Sequence, residues 1–406
     1  MNKNILLTFT FIFAFSIAPP LAASRLLARA EPAPELSIAA ANNEFAVELY
    51  DRLKGETGNI LFSPVSVSTA LAMTAEGARG KTADEMQAVF HFPADARARR
   101  AVFAALIKGL HQSDSTIQLD MANALWAQKG HKFLKEYLAV LRRDYSGQAA
   151  EVDFKNAAEK ARQTINRWVE QKTHRRIKDL FSKGSLNALS RLVLTNAVYF
   201  KGKWVDPFEK SETTDQYFRI GAERFVKVRL MKKTGERFGY AETEGVQILE
   251  MGYQGDRLSM VVLLPTKDNL GELESSLSAE QLGDWIGQIE NKRVDIFIPK
   301  FTFGEKYSLS QTLAAMGMPT AFTDEADFSG MDGTHNLSIQ KVIHQTFVDV
   351  SEQGTEAAAA TGISLGATAM MPEPVPVFRA DHPFLFLIRD TKTGTILFLG
   401  RVSNPL

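Results

Sequence analysis

Gly362-Ile363-Ser364-Leu365-Gly366 spells the G-x-S-x-G pattern of a hydrolase nucleophile. That chemistry needs a strand, a sharp turn and a helix, so that the serine hydroxyl stands exposed beside a base. Ala367-Thr368-Ala369-Met370-Met371-Pro372 follows here, with Pro374 and Pro376 beyond it, and no helix can form. A triad would also need an acid and then a histidine downstream, and only His382 stands close before the end of the chain. Gly77-Ala78-Arg79-Gly80-Lys81-Thr82 resembles the end of a phosphate loop, but Ala75 occupies the required first glycine and a helix precedes it. It reads as a helix-to-helix turn.

The seven histidines show neither H-E-x-x-H nor any other ligand spacing. His344 lies in an apolar strand near Ile343 and Phe347, and reads as a buried, hydrogen-bonded core residue able to act as a polar latch. Arg97, Arg99 and Arg100 read as a solvated helix face, with a polyanion site as the alternative. No catalytic residue, metal ligand or cofactor is expected.

Glu352-Gln353-Gly354-Thr355-Glu356-Ala357-Ala358-Ala359-Ala360-Thr361 is of a different kind. It follows the β-branched run from Lys341 to Val350, passes a glycine, and then carries almost no bulk. Side chains of a strand alternate between two faces. Thr355, Ala357, Ala359, Thr361, Ile363 and Leu365 share one face, small near the glycine and larger further out. Such a strand can slide between two existing strands until proline stops it. The alternative is an Ala-rich, helix-prone solvated loop.

The elements around this segment suggest an α+β fold, helices first and strands later. Phe45, Leu49 and Leu53 recur at helical spacing up to Gly55, and Ser63-Pro64 starts a helix after a short strand over Asn59–Phe62. Helical and mixed segments fill Ala70 to Leu180. Strands are expected over Arg191–Phe200, Leu258–Leu264, Arg293–Phe301 and Leu337–Val350. Pro383–Arg389 and Thr395–Arg401 form a hairpin around Asp390-Thr391-Lys392-Thr393-Gly394.

The 406 residues carry formal net charge zero, which argues against a general nucleic-acid binder. Lys3, the apolar run Ile5–Ala18 and the prolines at 19 and 20 read as a secretory signal over residues 1–30, cleaved near Ala23 or Ala30; the alternative is an uncleaved anchor. A linker spans 31–39 and one domain spans 40–406. The sequence has no cysteine, so an exported chain would hold together without disulfides.

Several segments together resemble the serpin family. They are Asn59-Ile60-Leu61-Phe62-Ser63-Pro64-Val65-Ser66, Gly77 to Met86, Leu194 to Trp204, Ile298-Pro299-Lys300-Phe301, His344 to Glu352 and Phe378 to Phe386. The resemblance covers about residues 40 to 406. It implies three β-sheets, about nine helices and an exposed reactive loop over about 352–377. It makes Glu352, Gly354, Thr355, Glu356, Ala357, Ala358, Ala359, Ala360 and Thr361 a mobile hinge. Ser63, Ser66, Asn196 and His344 match the polar cluster where the central sheet must part. Trp204, Lys300 and Glu352 match its top. Seventeen residues counted from Glu352, as in the family's inhibitors, put the scissile bond at Thr368–Ala369.

The implied activity is suicide inhibition of a serine protease, held as a covalent acyl complex; a carrier or chaperone of the same fold is the alternative. Thr368 suits a shallow elastase-like or subtilisin-like pocket, and Met370 or Met371 would suit a chymotrypsin-like one. The expected product is a secreted or periplasmic monomer with no membrane attachment after signal cleavage and no nucleic-acid partner.

Overall fold

Short runs of large apolar residues build the centre of the molecule. Leu258–Pro265, Phe384–Asp390 and Ile396–Val402 are buried along nearly their whole length, as strands covered on both faces must be. The computed structural model describes residues 34–111, 117–267, 269–355 and 374–406, and these belong to a unit that begins at Ala33. The expected signal segment, the first part of the expected linker, the expected hinge residues Glu356 to Thr361, and Ser364, Thr368, Ala369, Met370 and Met371 lie outside the described residues.

Among the described residues there are three sheets, of seven, four and six strands, and ten α-helical segments. The architecture is the α+β one expected; the helix count reaches ten because single-turn pieces such as Ser329–Asp332 are included. The six-stranded sheet positions the residues of interest. Its strands, in chain order, are β1 (Ile117–Gln128), β2 (Gln148–Val152), β3 (Leu192–Lys203), β4 (Phe301–Ser308), β5 (Ile339–Ser351) and β6 (Gly354–Thr355). In space they run β4-β5-β6-β3-β1-β2. Its inner face packs on the seven-stranded sheet through Phe200, Val348 and Val350 against Tyr253, Phe386 and Phe398. The helix Phe154–Lys172 covers its outer face through Phe154, Ala161, Ile165 and Val169. The helix Pro64–Ala75 is buried along almost all its length; Ser63 caps its N-terminus by accepting from the Ser66 N–H, and Pro64 occupies the first turn.

Two expectations need correction. The first helix starts at Pro34, inside the stretch 31–39 read as linker. Proline is well tolerated in a first helical turn, and Glu35 there suits the helix dipole. The region Ala70 to Leu180 also holds the twelve-residue strand β1. Asp120 and Asn123 interrupt its apolar pattern, and small Ala122 and Ala124 face the covering helix, so its middle lacks bulky β-formers.

Candidate functional site

Strands β3 and β5 are parallel neighbours from the Ile339–Leu192 pair up to the Phe347–Tyr199 pair. Above that rung they part, and β6 lies between them. Gly354 pairs with Ser351 and Lys203, and Thr355 pairs with Val350 and Gly202, antiparallel on both sides. The segment expected to be the hinge therefore begins as a seated strand of two residues. Gly354 has φ 136°, and a Cβ there would overlap the Gly202 carbonyl oxygen. Only glycine fits that turn.

Aromatic stacking forms the floor of the seat. Trp204 lies on Tyr253 with ring centroids 4.5 Å apart, and donates its indole N–H to the Ser351 carbonyl at 3.0 Å. The Tyr253 hydroxyl meets the Thr355 hydroxyl at 2.9 Å, and Thr355 is only 1% exposed. The turn is held by Trp204 N–H to the Gln353 carbonyl and Phe208 N–H to the Glu352 carbonyl. Lys300 pairs with the buried Glu352 carboxylate at 2.9 Å. Burial opposes the charged form of Glu352, but the Lys300 ammonium and a backbone N–H outweigh it and hold the carboxyl below its ordinary value.

Lower on the same seam, Asn123, Asn196 and His344 stand in register on three adjacent strands, all facing inward. His344 is fully buried. Its Nε2 accepts from the Ser63 N–H at 2.9 Å, so Nδ1 carries the proton and donates to Asn196 Oδ1. The Asn196 amide donates to the Ser66 carbonyl and hydroxyl and to Asn123 Oδ1. Thr346 donates to the Leu61 carbonyl at 2.8 Å. The network joins the strands to the capped end of the helix Pro64–Ala75, and the His344–Asn196 bond crosses the line where β3 and β5 would separate.

Burial pushes the His344 imidazole from its ordinary 6.5 down to about 3. The unfolded chain takes up a proton below about pH 6.5 that the folded chain refuses. The stabilising effect of a neutral His344 is therefore complete above that pH and is lost progressively as pH falls towards 3. The expected slope is up to about 1.4 kcal/mol per pH unit, read from denaturant midpoints between pH 7 and 5. A midpoint independent of pH in that window, beyond the drift of a His344→Gln control, would contradict the neutral buried imidazole.

A sequence profile described as Serpin (serine protease inhibitor) matches residues 40–405. The chain belongs to the serpin family. An uncharacterized serpin-like protein of Thermococcus kodakarensis is 45% identical over 374 residues, 91% of this chain and 86% of that one. The human leukocyte elastase inhibitor is 40% identical over 380 residues, 91% of this chain and 99% of the inhibitor. The structure of human thyroxine-binding globulin superposes with a TM-score of 0.84 at 31% identity, covering 92% of this serpin and all of the globulin.

The serpin structure also places other residues singled out in the sequence. Arg99 and Arg100 do not form a solvated face: both pair with the buried Glu76 carboxylate, which also accepts from the Tyr145 hydroxyl at 2.7 Å. The partner caps the C-terminus of another helix, Pro64–Ala75, so one-helix periodicity could not reveal it. The Gly77–Thr82 turn joins two helices as expected, with Gly77 packed on Met331. Both ring nitrogens of His382 lie within hydrogen-bond distance of oxygens, Asp381 Oδ1 and the Pro265 carbonyl. Among the described residues no group of His, Cys, Asp or Glu could hold a metal ion, and no helix is long and apolar enough to cross a membrane. Sequence reasoning missed Asn123 and Tyr253; strand register delivers the first and stacking of two sheets the second.

Proposed function

We propose that this serpin is an exported suicide-substrate inhibitor of serine proteases. The observation that carries the reading is the seated pair Gly354–Thr355, hydrogen-bonded to both sides of a seam that is closed directly below it. Among the pairings of the long strands, β3–β5 is parallel, whereas β4–β5 and β1–β3 are antiparallel. Parallel pairing is slightly weaker per residue. Extending β6 would replace one parallel interface with two antiparallel ones.

The register fixes what each inserted residue would meet. Every two residues gained along the hinge move two residues down each neighbour. Ala357 then lies between Val348 and Phe200, Ala359 between Thr346 and Val198, and Thr361 between His344 and Asn196. Small side chains thus pass the large inward-facing groups. The Thr361 hydroxyl arrives where the His344–Asn196 bond has been broken, and can bond to both. A charged or proline residue at any of these positions would stop the strand.

The chemistry follows. A protease serine attacks the carbonyl of Thr368, forms the acyl-enzyme and releases Ala369 as the new N-terminus. The severed hinge enters the sheet and carries the tethered protease away from its aligned geometry before water resolves the ester. Each added backbone hydrogen bond contributes about 0.5–1.5 kcal/mol net. Glu352 with Lys300 and Trp204 would fix the point from which insertion starts, and the His344 row would latch the seam until then. The absence of Arg or Lys between Glu352 and Arg379 favours elastase-like, subtilisin-like or chymotrypsin-like targets. The human relative named as an elastase inhibitor supports the same direction. Export rests on Lys3 and the Ile5–Ala18 run.

Thyroxine-binding globulin and uncleaved ovalbumin share the fold, so a carrier role is the competing reading. Incubation with a panel of serine proteases separates the two. An SDS-stable complex, with a released fragment beginning at Ala369, is expected. Clean loop cleavage with no complex would favour the carrier.

A further inference from the structure

We propose that His174 and Arg176 are positioning residues that clamp the first rung of the β3–β5 seam and set how fast the hinge can enter; this rests on the insertion reading above. Direct pairing of β3 and β5 ends at the Tyr199–Phe347 rung, immediately below the seated hinge. That rung is the first that insertion must break. Its side chains point to the outer face, opposite to Asn196 and His344.

The chain leaving the helix Phe154–Lys172 crosses the sheet at this level. The His174 ring lies 6.0 Å from that of Tyr199 on β3. Its Nε2 is 3.1 Å from Asp120 Oδ2 and 2.7 Å from the Gln118 amide, both on β1, and Asp120 is the register partner of Tyr199. Two residues on, the Arg176 guanidinium sits 5.9 Å above the Phe347 ring on β5. One short segment thus grips β1 and β3 on one side of the seam and β5 on the other.

The segment is stiff. His174 and Arg175 hold φ of 49° and 63°, left-handed values that a side-chain-bearing residue keeps only when its surroundings impose them. Thr173, Ile177, Leu180 and Phe181 are buried on either side. The Thr173 hydroxyl donates to the Val169 carbonyl and accepts from the Ile177 N–H, and the Phe181 N–H donates to the Asn166 side chain.

Geometry then dictates the consequence. Neighbouring strands lie about 4.8 Å apart, so admitting one strand moves Tyr199 and Phe347 to about twice that spacing. A rigid bridge cannot keep hold of both. Opening must break the contact at His174 or the one at Arg176; that cost is met on the way in, and because the inserted sheet keeps the wider spacing the broken contact contributes nothing to the inserted state.

The test uses the intact, uncleaved full chain and a synthetic peptide with the sequence of residues 355–366, whose uptake into the seam is followed by native electrophoresis and by Trp204 fluorescence. His174→Ala and Arg176→Ala should each take up peptide about fivefold faster than the unsubstituted protein, and the double variant no faster than the quicker of the two, since removing either end already frees the bridge. Arg176→Lys, which keeps a cation over Phe347, should restore much of the slow rate, and Lys178→Ala should leave it unchanged. Melting of the peptide-loaded forms should coincide. Uptake within twofold of the unsubstituted rate in both alanine variants would overturn the clamp while leaving the insertion reading intact. Failure of the unsubstituted protein to take up peptide at all would overturn the insertion reading, and the clamp with it.

Discussion

Thr355→Arg is expected to turn the inhibitor into a substrate: the protease cleaves the loop, escapes, and the yield of covalent complex falls at least tenfold. Thr355 is 1% exposed, between Val350 and Gly202, with its hydroxyl on Tyr253. The space beside it is already full, since a Cβ on Gly202 would meet the Tyr253 ring at 2.7 Å. Arginine here must either bury an unpaired guanidinium, at a cost of several kcal/mol, or leave the seat empty. Either outcome slows the first step of insertion, while hydrolysis of the acyl-enzyme proceeds unchanged. Because 1.4 kcal/mol is a factor of ten in a ratio of rates, even partial loss of the seat moves nearly all flux to cleavage. The stoichiometry of inhibition, measured by titrating active protease, reads this directly, with Thr355→Ser as the conservative control. Unchanged stoichiometry in Thr355→Arg would remove the basis for insertion as the inhibitory step.

His344→Ala should lower the stability of the intact protein by about 3–5 kcal/mol and make it form polymers on mild warming. The imidazole satisfies the Ser63 N–H on one side and Asn196 Oδ1 on the other, both buried. Its removal leaves two buried polar groups without partners, each costing about 1–3 kcal/mol, and a cavity besides. The lost bond crosses the β3–β5 seam, so the damage falls where insertion would part the sheet. A parted seam is an open template for any extended strand, including the hinge of another copy. Thermal melting of the intact form and native electrophoresis after incubation below its midpoint test both halves. An unshifted midpoint with no polymer would contradict the latch.

The parts of this mechanism that lie along the chain were legible in the sequence, and the parts that register brings together were not. The alternation from Thr355 outward could be read because a strand's period of two is local. His344 could be placed in a core strand because Ile343 and Phe347 surround it. Its partnership with Asn196 follows from resemblance to a family; nothing in the spacing of two residues 148 positions apart announces it. Asn123 stayed hidden because it sits in β1, whose alanines and polar residues look unlike a central strand. Arg99 and Arg100 were misread because the carboxylate that neutralises them, Glu76, belongs to a different element. The early start of the first helix, at Pro34, shows how little one proline says about a boundary when it falls in the first turn.

All of this requires that the uncleaved fold sit above a more stable arrangement of the same chain. Differential scanning calorimetry of the protein before and after a single cut between Thr361 and Pro372 measures that difference without reference to any target protease. The account predicts a cleaved form that melts well above the intact one, because the freed hinge has gained two antiparallel interfaces in exchange for one parallel seam. Equal or lower melting of the cleaved form would mean that no such reserve exists, and would contradict it.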